Sequence, residues 1–119
     1  MENVIFEDRG SYLYVKFSPK MENKEITKAG AAAKKVIESK PDINIIIDDT
    51  AIRYKDLTAT NKLESLEALR LLKNQPRTAA VIAKEDEKLV YYAQFALNYA
   101  KIKTIKITHD LQEAIDWVS

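Results

Sequence analysis

The sequence predicts an α/β domain built on a mixed five-stranded sheet with four helices, in the order β-β-α-β-α-β-α-β-α. Three observations carry that prediction. After residue 20, short branched or aromatic runs alternate with longer stretches of helical periodicity, as in strand–helix–strand units. The central apolar runs Ile43–Asp48 and Thr78–Ala83 are nearly continuous, the pattern of strands covered on both faces inside a parallel sheet. The 119 residues make one domain, 1–119, and 46% hydrophobic residues with only 2 Gly and 3 Pro suit a packed core.

Val4-Ile5-Phe6 and Tyr12-Leu13-Tyr14-Val15-Lys16-Phe17 flank the turn signal Asp8-Arg9-Gly10-Ser11 and read as an antiparallel hairpin, which Ser18-Pro19 stops. From Asn23 to about Ser39, Ile26, Ala29, Gly30, Ala33, Val36 and Ile37 recur at helical spacing. The run Ala29-Gly30-Ala31-Ala32-Ala33 has little bulk, although Gly costs about 1 kcal/mol relative to Ala inside a helix. Close packing of this helix accounts for the run; a smooth wall for a ligand is the sharper reading. Lys40-Pro41-Asp42 ends the helix ahead of the third strand.

A second helix is expected from Thr58 to Lys73 with Leu63, Leu66, Leu69 and Leu72 on its apolar side, broken by Gln75-Pro76. The fourth strand leads to a third helix, about Glu85 to Ala100, that turns Leu89, Ala93, Ala96 and Leu97 inward. Ile102 to Ile107 alternates as an edge strand does. The last helix, Leu111 to Val118, has Asp110 as its N-cap, and Glu113 completes a capping-box pattern. Right-handed crossovers then make the strands parallel, except for the one antiparallel strand of the hairpin.

Composition removes several function classes. Cys is absent, which excludes disulfides, thiolate catalysis and cysteine-held zinc and suits a cytoplasmic setting. Nineteen basic residues against 18 acidic ones, interleaved along the helices, lack the basic stripe that binds nucleic acid. The first residues have no basic region followed by an apolar run, so no signal peptide is expected there, and no run is long enough to span a membrane. Two glycines build no nucleotide cradle, and no metal-ligand spacing appears around the single His109. No nucleophile–base pair can be assembled, so the expectation is a non-enzyme without cofactor or metal.

Two groups of residues are candidates for function. Asp48-Asp49-Thr50 closes the central strand, where ligand and regulatory sites of open α/β sheets tend to lie. With Asp56 and Thr58 at the start of the second helix it forms a candidate regulatory loop; turn formation and helix capping are the plainer roles of the same residues. On the third helix Tyr92, Phe95 and Tyr99 share one flank. With Gly30 and Ala33 of the first helix they make a candidate surface for an apolar ligand, the alternative being that they complete the core beside Trp117.

The second strand Tyr12–Phe17, the close Ile45-Ile46-Ile47-Asp48-Asp49, the entry Arg77-Thr78-Ala79-Ala80-Val81-Ile82, then Ile105-Lys106-Ile107 and the ending Ala114-Ile115-Asp116-Trp117-Val118 follow a familiar order. In that order the chain resembles the STAS domain of anti-sigma factor antagonists, and most of all its SpoIIAA-like branch, over nearly its whole length. The antagonists are phosphorylated on a Ser at the start of the second helix, within an Asp-Ser-Ser-Gly-like motif. This chain has Asp56-Leu57-Thr58-Ala59-Thr60 there, without the Ser or the Gly. The SpoIIAA-like branch commonly lacks that motif too and is similar in fold to Sec14-type lipid-binding domains, which implies a nonpolar ligand between helices and sheet. Two functions follow from the resemblance: a module holding a small apolar or amphipathic ligand, or a protein–protein regulatory module.

Overall fold

The hairpin signal is realised at the start of the chain. β1 (Val4–Asp8) pairs antiparallel with β2 (Tyr12–Phe17), Val4 lying opposite Phe17 and Asp8 opposite Leu13. Gly10 takes a φ of 83° at the turn, a left-handed conformation that glycine adopts freely, and its amide donates to Asp8 Oδ1 at 2.9 Å. These coordinates are a computed structural model, and it describes residues 3–18, 22–53, 57–63 and 72–119.

Helix α1 (Asn23–Glu38) leads into β3 (Asn44–Asp49), and a second helix, α2, is described over residues 59–63. Leu66 and Leu69, expected on its apolar side, lie outside the described residues; Leu72 is buried and Leu63 is 62% exposed. Then come β4 (Thr78–Ile82), a short 3-10 turn at Lys84–Asp86, α3 (Glu87–Tyr99), β5 (Ile105–Thr108) and α4 (Leu111–Val118). The sheet order is β1-β2-β3-β4-β5, with β2 to β5 parallel. The chain therefore has the expected mixed five-stranded α/β fold.

Because the parallel strands add in one direction, right-handed crossovers place the crossover helices on the same face. The core confirms that layering. Ala29, Ala33 and Ile37 of α1, Leu97 of α3, and Leu72 ahead of β4 pack on Leu13, Val15, Ile45, Ile47, Ile105 and Ile107. On the opposite face α4 is the only helix that covers the sheet among the described residues, with Ala114 and Val118 over Tyr14, Ile46, Ala79 and Val81.

The structure corrects four local expectations. Gly30 is exposed, and a Cβ added there would meet nothing within 4 Å, so close packing belongs to Ala29 and Ala33 instead. Leu89 is 37% exposed and Ala96 is exposed, because α3 turns only Leu97 fully inward, with Val90, Ala93 and Gln94 half-buried. The fifth strand starts at Ile105 rather than Ile102. Lys101 takes a left-handed φ of 61°, and the Ile102 amide donates back to Leu97 O at 2.9 Å, which closes α3 and holds Ile102 out of the strand. At α4, Asp110 Oδ1 accepts from the Gln112 and Glu113 amides at 2.9 and 3.3 Å, but no reciprocal box forms. Glu113 reaches Lys106 Nζ at 3.1 Å, while the Asp110 amide donates to Thr108 Oγ1 at 3.1 Å.

Candidate functional site

The carboxyl end of β3 holds the first candidate group. Successive residues of a strand point to opposite faces, so Asp48 and Asp49 part company. Asp48 is buried beside Tyr14 on the α4 face, and the Tyr14 hydroxyl donates to Asp48 Oδ2. Asp48 Oδ1 accepts from the Thr50 amide at 3.0 Å and from Thr50 Oγ1 at 2.6 Å, closing a side-chain turn. Burial, and then the Asp48 carboxylate, pushes the Tyr14 hydroxyl well above its ordinary range. Arg9 stacks over the Tyr14 ring at 4.1 Å.

Asp49 is half-buried on the other face and gains no hydrogen bond. Loss of water, and then repulsion from Asp48, pushes its carboxyl up to about 7. Thr58 is an N-cap: its Oγ1 accepts from the Asn61 amide at 3.1 Å, leaving the side chain exposed. Asp56 lies outside the described residues. Asp48 and Thr50 are thus gathered into one hydrogen-bonded cluster, and Thr58 is occupied as the cap of α2. Among the described residues no group of three or more His, Cys, Asp or Glu is placed to hold a metal ion.

The second candidate group rests on α3. Tyr91, Tyr92, Phe95 and Tyr99 are 76, 75, 72 and 83% exposed, so they do not complete the core. Beside them runs a groove of about 620 Å³ between α3, the open edge of β5 and α4. Tyr91 and Phe95 form one wall, Ile102, Ile105 and Ile107 belong to the floor, and Trp117 closes the far side. The polar lining is Gln94, Asn98, Lys103, Lys106 and Glu113. Gln94 Oε1 accepts from the Ile107 amide at 3.1 Å, which occupies an edge donor of β5 that would otherwise invite another strand. Trp117 is held between the sheet and Arg77, whose guanidinium lies 4.7 Å from the ring and donates to Trp117 O at 3.0 Å. Its buried indole Nε1 has no acceptor.

Of the ligand surface read from the sequence, Phe95 lines this groove, whereas Tyr92 and Tyr99 lie on the outward side of α3. Ala33 is packed in the core and Gly30 faces solvent on α1, so neither is among the groove residues. Sequence reasoning missed Gln94 and the β5 isoleucines. The usable signal was the spacing of Tyr91 and Phe95, four apart and so on one side of a helix that enters an edge strand.

No family model matches the sequence, and no curated protein matches it. Among solved structures the chain is similar to the crystal structure of an uncharacterised protein from the DUF3478 family with a SpoIIAA-like fold, from Shewanella loihica PV-4. The two superpose with a TM-score of 0.62 over 98% of this chain and 92% of that one, at 19% sequence identity. The chain has a SpoIIAA-like fold. At that identity the likeness speaks to fold alone.

Proposed function

We propose that this SpoIIAA-like domain is a non-catalytic cytoplasmic binding module that holds a small apolar or amphipathic ligand in the groove between α3, β5 and α4. The observation that carries this reading is the groove itself. Its volume falls within the roughly 300–1,000 Å³ of small-molecule sites, and aromatic and isoleucine walls with a few polar groups at the margin are the usual make-up of such sites. An apolar body would lie against Phe95, Ile105 and Trp117, and a polar end would reach Lys103 or Asn98. The polar groups lining the groove are amides, two ammonium groups and a carboxylate already paired with one of them, a set suited to orienting a ligand rather than to nucleophilic chemistry. No helix among the described residues is long and apolar enough to cross a membrane.

Titration with an environment-sensitive apolar dye tests the reading. Saturable binding is expected, and Tyr91→Ala with Phe95→Ala should weaken it about tenfold or more while leaving the fold intact, since both rings are largely exposed. Lack of saturation, or equal affinity in the double variant, overturns the proposal.

A further inference from the structure

The amide groups that line the groove form a relay whose direction is fixed from one end. The Ile107 amide can only donate, so the side-chain oxygen of Gln94 faces it at 3.1 Å. The Gln94 amino group is thereby turned toward Asn98 Oδ1, 3.4 Å away. That contact engages the acceptor of the Asn98 side chain and leaves its Nδ2 group with no acceptor among the described residues. The carbonyls that end α3 are engaged too. Ala96, Leu97 and Asn98 O accept from the Ala100, Ile102 and Lys101 amides at 3.0, 2.9 and 3.0 Å. The relay therefore ends on a donor.

Charge is distributed unevenly along the same groove. Glu113, the one acid of the lining, stands in the first turn of α4 and is neutralised by Lys106 at 3.1 Å. Because α4 follows β5 directly, this pair lies toward the carboxyl end of the strand. Asn98 is in the last turn of α3 and Lys103 in the link to β5, so both stand at the opposite end, where helix passes to strand. Lys103 has no ion-pair partner among the described residues. Trp117 lies toward that end as well, since Arg77, just before β4, holds its carbonyl; it adds an indole N–H without an acceptor. Resting on the reading that the groove holds a small ligand, we infer that this ligand is an amphipathic carboxylate. Its carboxylate meets Lys103 Nζ and Asn98 Nδ2 at the junction of α3 and β5, and its apolar body runs along β5 beneath Phe95. One unpaired ammonium matches the single negative charge of a carboxylate, which a phosphate monoester exceeds. An ammonium end would meet the like charge of Lys103, and a hydroxyl would leave that charge without a counterpart.

Displacement of the apolar dye by probes that share one chain and differ in the head group tests the inference: decanoate, decanol, decylamine and decyl phosphate at neutral pH. Decanoate should displace the dye at about tenfold lower concentration than decanol, the scale of a charge-assisted hydrogen bond, with decylamine behind both. Added salt should shrink that advantage. Lys103→Gln should bring decanoate to within about threefold of decanol, and Lys103→Glu should put decylamine ahead of decanoate. Lys103 is exposed, so neither change disturbs the core. Lys88→Gln makes the same change of charge on α3 away from the lining and should keep the wild-type order. Decanol matching decanoate, decylamine leading in the wild type, or an order that survives Lys103→Gln overturns the anionic ligand and leaves the groove reading standing. Decyl phosphate ahead of decanoate overturns the carboxylate in favour of a phosphate. Absence of saturable dye binding in the wild type overturns the groove reading itself, and this inference with it.

Discussion

Asp48 and Asp49 are neighbours on β3, yet the two faces of the sheet treat them differently. Asp48 accepts hydrogen bonds from Tyr14 and from the amide and hydroxyl of Thr50, whereas Asp49 is half-buried without one. The contrast extends along each face. Under α4 most polar groups are accounted for, the Trp117 indole Nε1 excepted: Asp110 caps the helix start, Asn44 Nδ2 donates to Val118 O at 2.8 Å, and Arg77 donates to Trp117 O. The face carrying α1 and α3 buries more apolar surface but tolerates more slack. It contains the unpartnered Asp49, a helical glycine with space around it, and a helix whose aromatic side chains face outward. The small face is specified tightly for folding, and the larger one keeps features that folding alone does not require.

The strongest test of that division lies in two adjacent core residues. Ile45 and Ile46 are both 0% exposed and point to opposite faces. Each Ile→Ala change should cost about 3 kcal/mol through lost burial and a residual cavity. Ile46→Ala should in addition loosen α4 before global unfolding, because α4 is the only helix packed on that face among the described residues. Trp117, the single tryptophan, reports this directly through its emission. If Ile45→Ala shifts the Trp117 signal ahead of the main transition and Ile46→Ala does not, the two faces are not the separate units described.

The next largest effect is at Asp49. Its carboxyl titrates near 7 in the folded protein against an ordinary value of 3.8. Between those values the folded state keeps a proton that the unfolded chain has released. Stability contributed at this site therefore falls as pH rises from about 4 to about 7 and stays low above that. Asp49→Asn removes the loss, so the variant should exceed wild type by on the order of 2 kcal/mol at pH 8 and match it at pH 4. Urea midpoints at the two pH values decide the matter, and parallel curves for the two proteins would refute the unpartnered state of Asp49.

Much of this architecture was legible in the sequence because it rests on local pattern. The hairpin turn around Gly10, the continuous β3 run and the cap at Asp110 each declare themselves within a few residues. The start of β5 was not legible, since the closing turn of α3 puts a lysine where a glycine would have signalled it. Nor was the pairing of Tyr14 with Asp48, which depends on β2 and β3 being neighbours with Lys16 beside Asp48 in the register. The aromatic stripe of α3 was visible as spacing, but periodicity cannot say which of two apolar sides is buried. The groove emerges only when the β5 edge, α3 and α4 are set side by side. Its Trp117 comes from the motif that closes the chain, and its isoleucines from a strand whose alternation reads as ordinary core.

The smallest effect tests slack on α1. Ala29 and Ala33 are buried in the core against the sheet, which accounts for two small residues of that run. Gly30 lies between them on the solvent side, with no positive φ and nothing within 4 Å of an added Cβ. A glycine there only increases the freedom of the unfolded chain. Gly30→Ala should therefore raise stability by about 0.5–1 kcal/mol, seen as a higher urea midpoint with an unchanged slope. The same change should leave dye binding unaltered, because Gly30 does not line the groove. A loss of dye binding would mean that the glycine is kept for a role on α1 that the static arrangement of the helix does not display, and would move the functional surface toward the first helix.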